Sequence, residues 1–253
     1  MGKKHRLVQI SDLHLLRLRY EVHRGIPPAL TFRKILDAVQ DLDPAPRAII
    51  LSGDISNAGY PDSYYLVDRL LMPMEIPYYW LPGNHDDATI MSQMEQNLSV
   101  ERSKCFELGG RRIVLLNSVI PDQVYGRLSP HELHFLRESL KEDIPAIIFV
   151  HHHPINKVPK LKDYMLLNAN EMFGLLEEHP QVEAVFFGHT HVVYDAIHHG
   201  VKYYSAPPSV FDHPEINKIT RHSLPGFRVI EWEDNAPLET TVHHIDISEL
   251  LPT

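Results

Sequence analysis

The sequence predicts an α/β fold in which two packed β-sheets are flanked by helices. Three observations carry the prediction. Short apolar runs alternate with segments of helical periodicity through most of the chain. The C-terminal third then breaks into short strand candidates separated by turns. No internal repeat, low-complexity segment or Gly/Ser linker divides the 253 residues, so one domain spanning 1–253 is expected, long but within the size of a single α/β unit.

The elements read in order as follows. Leu7-Val8-Gln9-Ile10 is a strand-like run. Thr31 to Leu42 places Phe32, Ile35, Leu36 and Val39 on one helical face. Ile49-Ile50-Leu51 is the second apolar run. Pro61 to Leu71 is again helical, with Pro61 suited to a first turn. Tyr78-Tyr79-Trp80-Leu81 is the third run. Ser129-Pro130-His131-Glu132 reads as a capping box opening a helix to about Lys141. Ile147 to Val150 is the fourth run. Asn168 to His179 is a helix stopped by Pro180, and Val185-Phe186-Phe187 is the fifth run. Lys202 to Ser205, Phe227 to Glu231 and Glu239 to Val242 are the late strand candidates. The turns among them are Ala206-Pro207-Pro208, Leu224-Pro225-Gly226 and Glu233-Asp234-Asn235. Strands and helices in this mixture need layers to bury their apolar faces.

Composition is that of a globular protein, 43% hydrophobic and 23% charged. Histidine is the outlier at 18 residues. The net charge of −9 argues against a nucleic-acid backbone as partner, which meets a basic face. One cysteine, Cys105, excludes an intramolecular disulfide and a cysteine-based zinc cluster, and fits a cytoplasmic location. Cys105 itself reads as a small buried hydrophobe. The basic start, Met1 to Arg6, precedes too short an apolar run for a signal peptide, and Arg6 stands where a myristoylation site needs Ser or Thr. No run approaches the ~20 residues of a membrane span. A homo-oligomer is left open.

Each of the five apolar runs ends in a turn of one chemical kind. Asp12-Leu13-His14 follows the first, Gly53-Asp54 the second and Gly83-Asn84-His85-Asp86 the third. His151-His152-His153-Pro154 follows the fourth and Gly188-His189-Thr190-His191 the fifth. Asp, Asn and His are the ligands of borderline-hard divalent ions at hydrolytic sites. Asp12 and His14, like His189 and His191, are two apart, so strand alternation would point each pair one way. Gly53 and Gly188 leave room for close backbone approach. Asp54, with two carboxylate oxygens, can bridge two ions, and Asn84 supplies a neutral oxygen. Singly these motifs are weak: Gly-Asp is usually a turn, and His151 to His153 reads equally as a solvated run. Their joint occurrence, in order and each behind an apolar run, points to a two-metal site. His198, His199, His222, His243 and His244 read as surface or half-buried residues rather than ligands. Tyr78-Tyr79-Trp80 and Tyr203-Tyr204 read as core.

With these five blocks the chain resembles the calcineurin-like metallophosphoesterases from Leu7 to Ile245. It is more narrowly similar to the bacterial class III cyclic-nucleotide phosphodiesterases and related glycerophosphodiesterases. The narrower likeness rests on Asn57 to Tyr64, His151 to Pro154, Asp163 with Leu167 to Ala169, and Pro225-Gly226-Phe227-Arg228 through Leu238 to Val242. The resemblance implies a four-layer sandwich, two packed mixed β-sheets flanked by helices. It implies Asp12, His14, Asp54 and His191 on one metal, and Asp54, Asn84, His151 and His189 on the other. His85 is then the catalytic histidine outside the ligand set. Asn57 stands where purple acid phosphatases carry a metal-binding Tyr, so a ferric-phenolate site is not expected. Ser209 to His213 departs from the glycerophosphodiesterase pattern, which leaves the substrate role of His213 open.

The resemblance further implies an enzyme, a metal-dependent phosphodiesterase using two divalent ions, with Mn, Fe and Zn all compatible. Two such ions against ionised Asp12 and Asp54 leave about +2 at the site, which attracts a small-molecule phosphodiester despite the acidic whole. Paired ions acidify a shared water, hydroxide attacks phosphorus in line, and His85 protonates the leaving oxygen. The leading substrate is a 3',5'-cyclic nucleotide, opened to a 5'-nucleotide. A glycerophosphodiester or a broad phosphodiesterase/phosphatase specificity is the alternative. A non-catalytic metal-binding scaffold on the same fold would be expected to have lost ligands. Discrimination among esters falls to the loops Leu15 to Leu30 and Asn156 to Asn170.

Overall fold

A computed structural model describes residues 2–210, 224–234 and 236–250. Two mixed sheets stack face to face. In the first, β1 (Lys4–Ile10), β2 (Ala48–Ser52) and β3 (Tyr78–Leu81) run parallel, and β10 (Gly226–Glu233) and β11 (Glu239–His244) extend it antiparallel beside β1. In the second, β5 (Arg111–Leu116), β6 (Ala146–Val150), β7 (Val182–Phe187) and β9 (Val201–Ser205) run parallel. The edges β4 (Cys105–Leu108) and β8 (Asp195–His198) are antiparallel to their neighbours.

The uninterrupted apolar runs follow from burial on both faces of the parallel strands. Leu7, Ile50, Ile147, Phe149 and Phe186 meet between the sheets. Val8, Ile49 and Leu51, alternate along the same strands, face helices α1 (Pro28–Gln40), α2 (Pro61–Leu71) and α3 (Ala88–Met94). Ile148, Val150, Val185 and Phe187 face α4 (Pro130–Ser139) and α5 (Ala169–Glu177). Helix, sheet, sheet and helix therefore form four layers, as the sequence predicts.

The helices near Thr31, Pro61, Ser129 and Asn168 and the three late strands all form. The capping box forms only by half. Ser129 Oγ accepts from the Glu132 amide, but the Glu132 carboxylate accepts from the Asn117 amide at 2.9 Å instead of turning back to Ser129. Among the described residues the α-helix α3, the strands β4, β5 and β8 and the short 3-10 helices had no sequence-based assignment. Cys105 is half-buried against the second core rather than fully buried. Trp80, Tyr78 and Tyr203 are core, as expected. Among the described residues no helix is long and apolar enough to cross a membrane.

Candidate metal centre

The five turns follow the carboxyl ends of β1, β2 and β3 in one sheet and of β6 and β7 in the other, and these ends meet at one place. Strand pleating does not aim the paired residues, contrary to the sequence expectation. β1 ends at Ile10 and β7 at Phe187, so Asp12, His14, His189 and His191 lie beyond the strands. Each has a left-handed backbone, with φ of 56°, 46°, 66° and 52°, and Asp54 joins them at 51°. The turns are braced against one another: Asp12 N–H donates to Gly53 O at 3.0 Å and His14 N–H to Asp54 O at 2.8 Å. The two sheets are tied where His189 N–H donates to both Asp12 oxygens, at 3.0 and 3.1 Å. A side chain on Gly53 (φ +96°) would enter the His151 ring, and one on Gly188 would collide with Ser11 Oγ.

The seven residues expected as ligands are brought together. His191 Nε2 lies 3.3 Å from Asp12 Oδ1 and 3.3 Å from His14 Nε2. His14 Nε2 is 3.6 Å from Asp54 Oδ2. On the other oxygen of Asp54, His151 Nε2 stands at 3.4 Å, and the same nitrogen is 3.3 Å from Asn84 Oδ1. His189 joins that group: one ligand atom each of Asp54, His151 and His189 falls within 4.8 Å of the others, as do those of Asp12, His14 and His191. Separations of 3.3–3.6 Å are about 1.6 times a metal–ligand bond of ~2.0–2.2 Å, the spacing of donors around one ion, and the O/N donor set suits a divalent ion. Asp54 faces both groups, one oxygen to each.

Hydrogen bonds fix two of the rings. His151 Nδ1 lies 2.9 Å from the Ser52 carbonyl. A carbonyl only accepts, so Nδ1 carries a proton and Nε2 is the atom turned to the cluster, where it would bind an ion on giving up the proton that Asp54 favours in the metal-free protein. His85 is exposed and sits edge-on to the His14 ring at 4.7 Å. Its Nδ1 donates to Asn57 O at 2.8 Å by the same reasoning, leaving Nε2 to exchange a proton.

Electrostatics match a cation site. Burial lowers the pKa of His14 to about 3 and that of His189 to about 3, so both are neutral at pH 7, the state metal binding requires. Burial works to raise Asp12, but the neighbouring His191 and His151 bring it down to about 2. Burial likewise opposes ionisation of Asp54 and His151. Their mutual attraction outweighs it, holding Asp54 well below the usual carboxylate range and His151 up at about 9.

Asp86 has a role that sequence reasoning missed. Its buried carboxylate accepts from Gly83 N–H at 2.9 Å, Ile55 N–H at 3.1 Å, Ser56 N–H at 2.8 Å and Tyr64 O–H at 3.1 Å. It thereby clamps the Asp54 turn to the Asn84 turn. The sequence held no signal for it beyond its place at the end of Gly83-Asn84-His85-Asp86, since the amides it accepts from Ile55 and Ser56 belong to a distant turn. His152 and His153 are fully buried rather than solvated. His152 Nδ1 lies 2.8 Å from Ser118 Oγ, and His153 Nε2 lies 3.2 Å from Leu161 O.

Residues set aside as non-ligands stay outside the cluster: His199 pairs with Glu177 at 2.6 Å, His198 lies against Phe173, His243 stacks on Phe227, and His244 contacts Leu224 O. His213 and His222 lie outside the described residues. Above the cluster opens a cleft of about 370 Å³, within the ~300–1,000 Å³ of small-molecule sites. Both loops singled out for discrimination reach it, the first through His23 and Arg24, the second through Leu161 and Tyr164.

The profile of the calcineurin-like phosphoesterase family matches residues 5–193. A 3',5'-cyclic-nucleotide phosphodiesterase of Nostoc sp. is 32% identical over 247 residues, covering 96% of this chain and 93% of its own. A 3',5'-cyclic adenosine monophosphate phosphodiesterase of Pseudomonas aeruginosa is 31% identical over 248 residues, covering 95% and 90%. The fold is also that of a dimetal phosphatase from Danio rerio, at a TM-score of 0.68, 14% identity, and coverage of 94% of this chain and 98% of that one.

Proposed function

The chain belongs to the calcineurin-like phosphoesterase family, whose members are hydrolases working with two divalent metals, and we propose that it opens the phosphodiester of a 3',5'-cyclic nucleotide to give a 5'-nucleotide. The observation that carries this reading is the convergence of seven O/N donors and one exposed histidine in a chain that two cyclic-nucleotide phosphodiesterases match over nearly its whole length.

In this reading one ion is held by Asp12, His14, Asp54 and His191, and the other by Asp54, Asn84, His151 and His189. The 3.3–3.6 Å separations from His191 to Asp12 and His14, and from His14 to Asp54, support the first group. The contacts of His151 with Asp54 and Asn84 support the second. Bound ions supply Lewis acidity toward phosphoryl oxygens and acidify water. The chain does the rest. Ser52 O and Asp86 fix the directions of His151 and of the Asn84 turn. Asn57 O holds the Nδ1 proton of His85, so a protonated His85 donates from Nε2 to the leaving oxygen. That general-acid contribution is worth ~10²–10⁴ in rate. A cytoplasmic location belongs to the same proposal, since a lone half-buried Cys105 suits a reducing compartment.

The test is product analysis by chromatography with Mn²⁺-loaded protein and cyclic AMP, cyclic GMP, glycerophosphocholine, bis-p-nitrophenyl phosphate and p-nitrophenyl phosphate. A 5'-nucleotide as product, with higher kcat/KM for a cyclic nucleotide than for the monoester, is expected. A monoester preferred over every diester would overturn the proposal.

A further inference from the structure

The cleft is asymmetric. Its floor is the metal-type cluster. Its lining is polar beside the His14 ring, where His23 stacks at 5.9 Å, and includes Arg24. It also carries Val124, Leu161 and Tyr164, of which Val124 is 48% and Tyr164 40% exposed. Exposed apolar side chains gathered at the mouth of a polar site need a reason, because each keeps apolar surface in water. The Tyr164 ring stands 6.2 Å from the His189 ring, tilted by 47°. A flat group attached to a phosphate on the cluster would come within reach of its face.

This wall is built rather than incidental. Tyr164 ends a 3-10 helix, Pro159–Tyr164. His153 anchors it from the metal side, with Nε2 on Leu161 O at 3.2 Å and its carbonyl accepting from Leu166 N–H at 3.1 Å. The loop bearing Val124 is joined to the same segment. Gly126 N–H donates to Met165 O at 3.1 Å, and Leu167 N–H donates to Gly126 O at 2.8 Å. Gly126 is in turn seated on the His152 ring, where a side chain would collide. Both apolar contributors are thus referenced to the His151-His152-His153 turn. Two loops distant in sequence form one pre-set surface, which lowers the ordering cost of binding.

From this geometry we infer that Tyr164, flanked by Leu161 and Val124, is the stacking platform for the planar base of a nucleoside phosphate whose phosphate sits on the cluster. The inference rests on the proposed nucleotide reading and deepens it, by naming the residue that separates nucleotide esters from glycerol esters. Glycerophosphodiesters have no flat group to place there. A π-face accepts any base, so the platform recognises a nucleobase without fixing which one.

Titration calorimetry of 5'-AMP and of inorganic phosphate into the Mn²⁺-loaded protein tests this without requiring turnover. Tyr164→Ala should weaken 5'-AMP binding about 5- to 20-fold, the lower part of the range for base–aromatic stacking because one ring face is involved. Phosphate affinity should change less than about twofold, since phosphate does not reach the wall. Tyr164→Phe, which keeps the ring, should bind 5'-AMP like the parent protein. Equal losses for 5'-AMP and phosphate, or no loss for either, would overturn the inference. The cyclic-nucleotide reading fails separately, if the parent protein leaves cyclic AMP and cyclic GMP intact. A selective loss of 5'-AMP affinity in that case would uphold the platform and assign it to another nucleoside phosphate.

Discussion

Replacing Asp86 by Asn removes one negative charge and one acceptor from a carboxylate that now serves four donors. An amide oxygen can replace one carboxylate oxygen, but the NH₂ group must then face donors. With the oxygen on the side of Ser56 and Tyr64, the amides of Ile55 and Gly83 lose their acceptor. Each buried donor left unsatisfied costs ~1–3 kcal/mol, so two cost ~2–6 kcal/mol before relaxation. For a chain of this size ~1 kcal/mol moves Tm by ~2–4 °C, which predicts a fall of about 4–24 °C before relaxation. The catalytic consequence is separate. Gly83 and Ile55 flank Asn84 and Asp54, so releasing them shifts two proposed ligands. A misplacement of ~1 Å can cost ~10² in rate. Thermal unfolding and kcat of the Mn²⁺-loaded protein read both effects. Asp87→Asn is the control, because Asp87 caps α3 through Thr89 and Ile90 amides and Asn caps about as well. If Asp86→Asn kept Tm within ~2 °C and kcat within about twofold, the clamp would have no such role.

Metal analysis should find two ions per chain after Mn²⁺ loading. Asp54→Ala should lose affinity at both positions, and saturation at one ion would contradict the shared-ligand role. His85→Ala should retain both ions while kcat falls ~10²–10⁴-fold; an emptied metal position in that variant would make His85 a ligand instead. Gly53→Ala places a side chain at φ +96° against the His151 ring. The left-handed backbone alone costs ~1–2 kcal/mol, so Tm should fall by at least ~2–4 °C and metal affinity should drop, as unfolding curves and metal titration would show.

Much of the layered fold was legible because both faces of the parallel strands are buried. Ile147 to Val150 and Val185 to Phe187 stand out as apolar runs since alternate residues enter different cores. Of what escaped, β5 does not fit this rule, because its run Ile113 to Leu116 is apolar and enters both cores; the other missed elements have one weak face. β8 is an edge strand of which Ala196 alone is buried, and Ile197 is 74% exposed. α3 is seven residues long and is started by the Asp87 cap, next to a motif read for its chemistry. The convergence of the proposed ligands was legible as a set, because a cation site requires donor types that are otherwise rare behind apolar runs. Asp86 was not, since a carboxylate accepting backbone amides has no spacing rule in sequence and depends on a turn 30 residues away.

The pairs Asp12/His14 and His189/His191 show how a sequence argument can group residues that do meet in the fold, yet by an incorrect geometry. Two-residue spacing suggests one face of a pleated strand, yet both pairs lie past the strand ends with left-handed backbones. Among side-chain-bearing residues, Asp, Asn and His adopt that region several-fold more readily than most. A residue type chosen for a metal is therefore also one the turn tolerates. The turn conformation still costs ~1–2 kcal/mol per residue and holds only where surroundings over-determine it. Here they do: the Gly53 and Asp54 carbonyls take the amides of Asp12 and His14, and Asp12 takes the amide of His189. The carboxylate proposed to bind a cation would then also lock the two sheets together. Asp12→Ala should consequently separate from a simple ligand deletion, destabilising the metal-free protein as well as weakening metal binding. Unfolding measured in chelator is the discriminating assay, and an unchanged Tm there would show that the sheet-to-sheet contact contributes nothing.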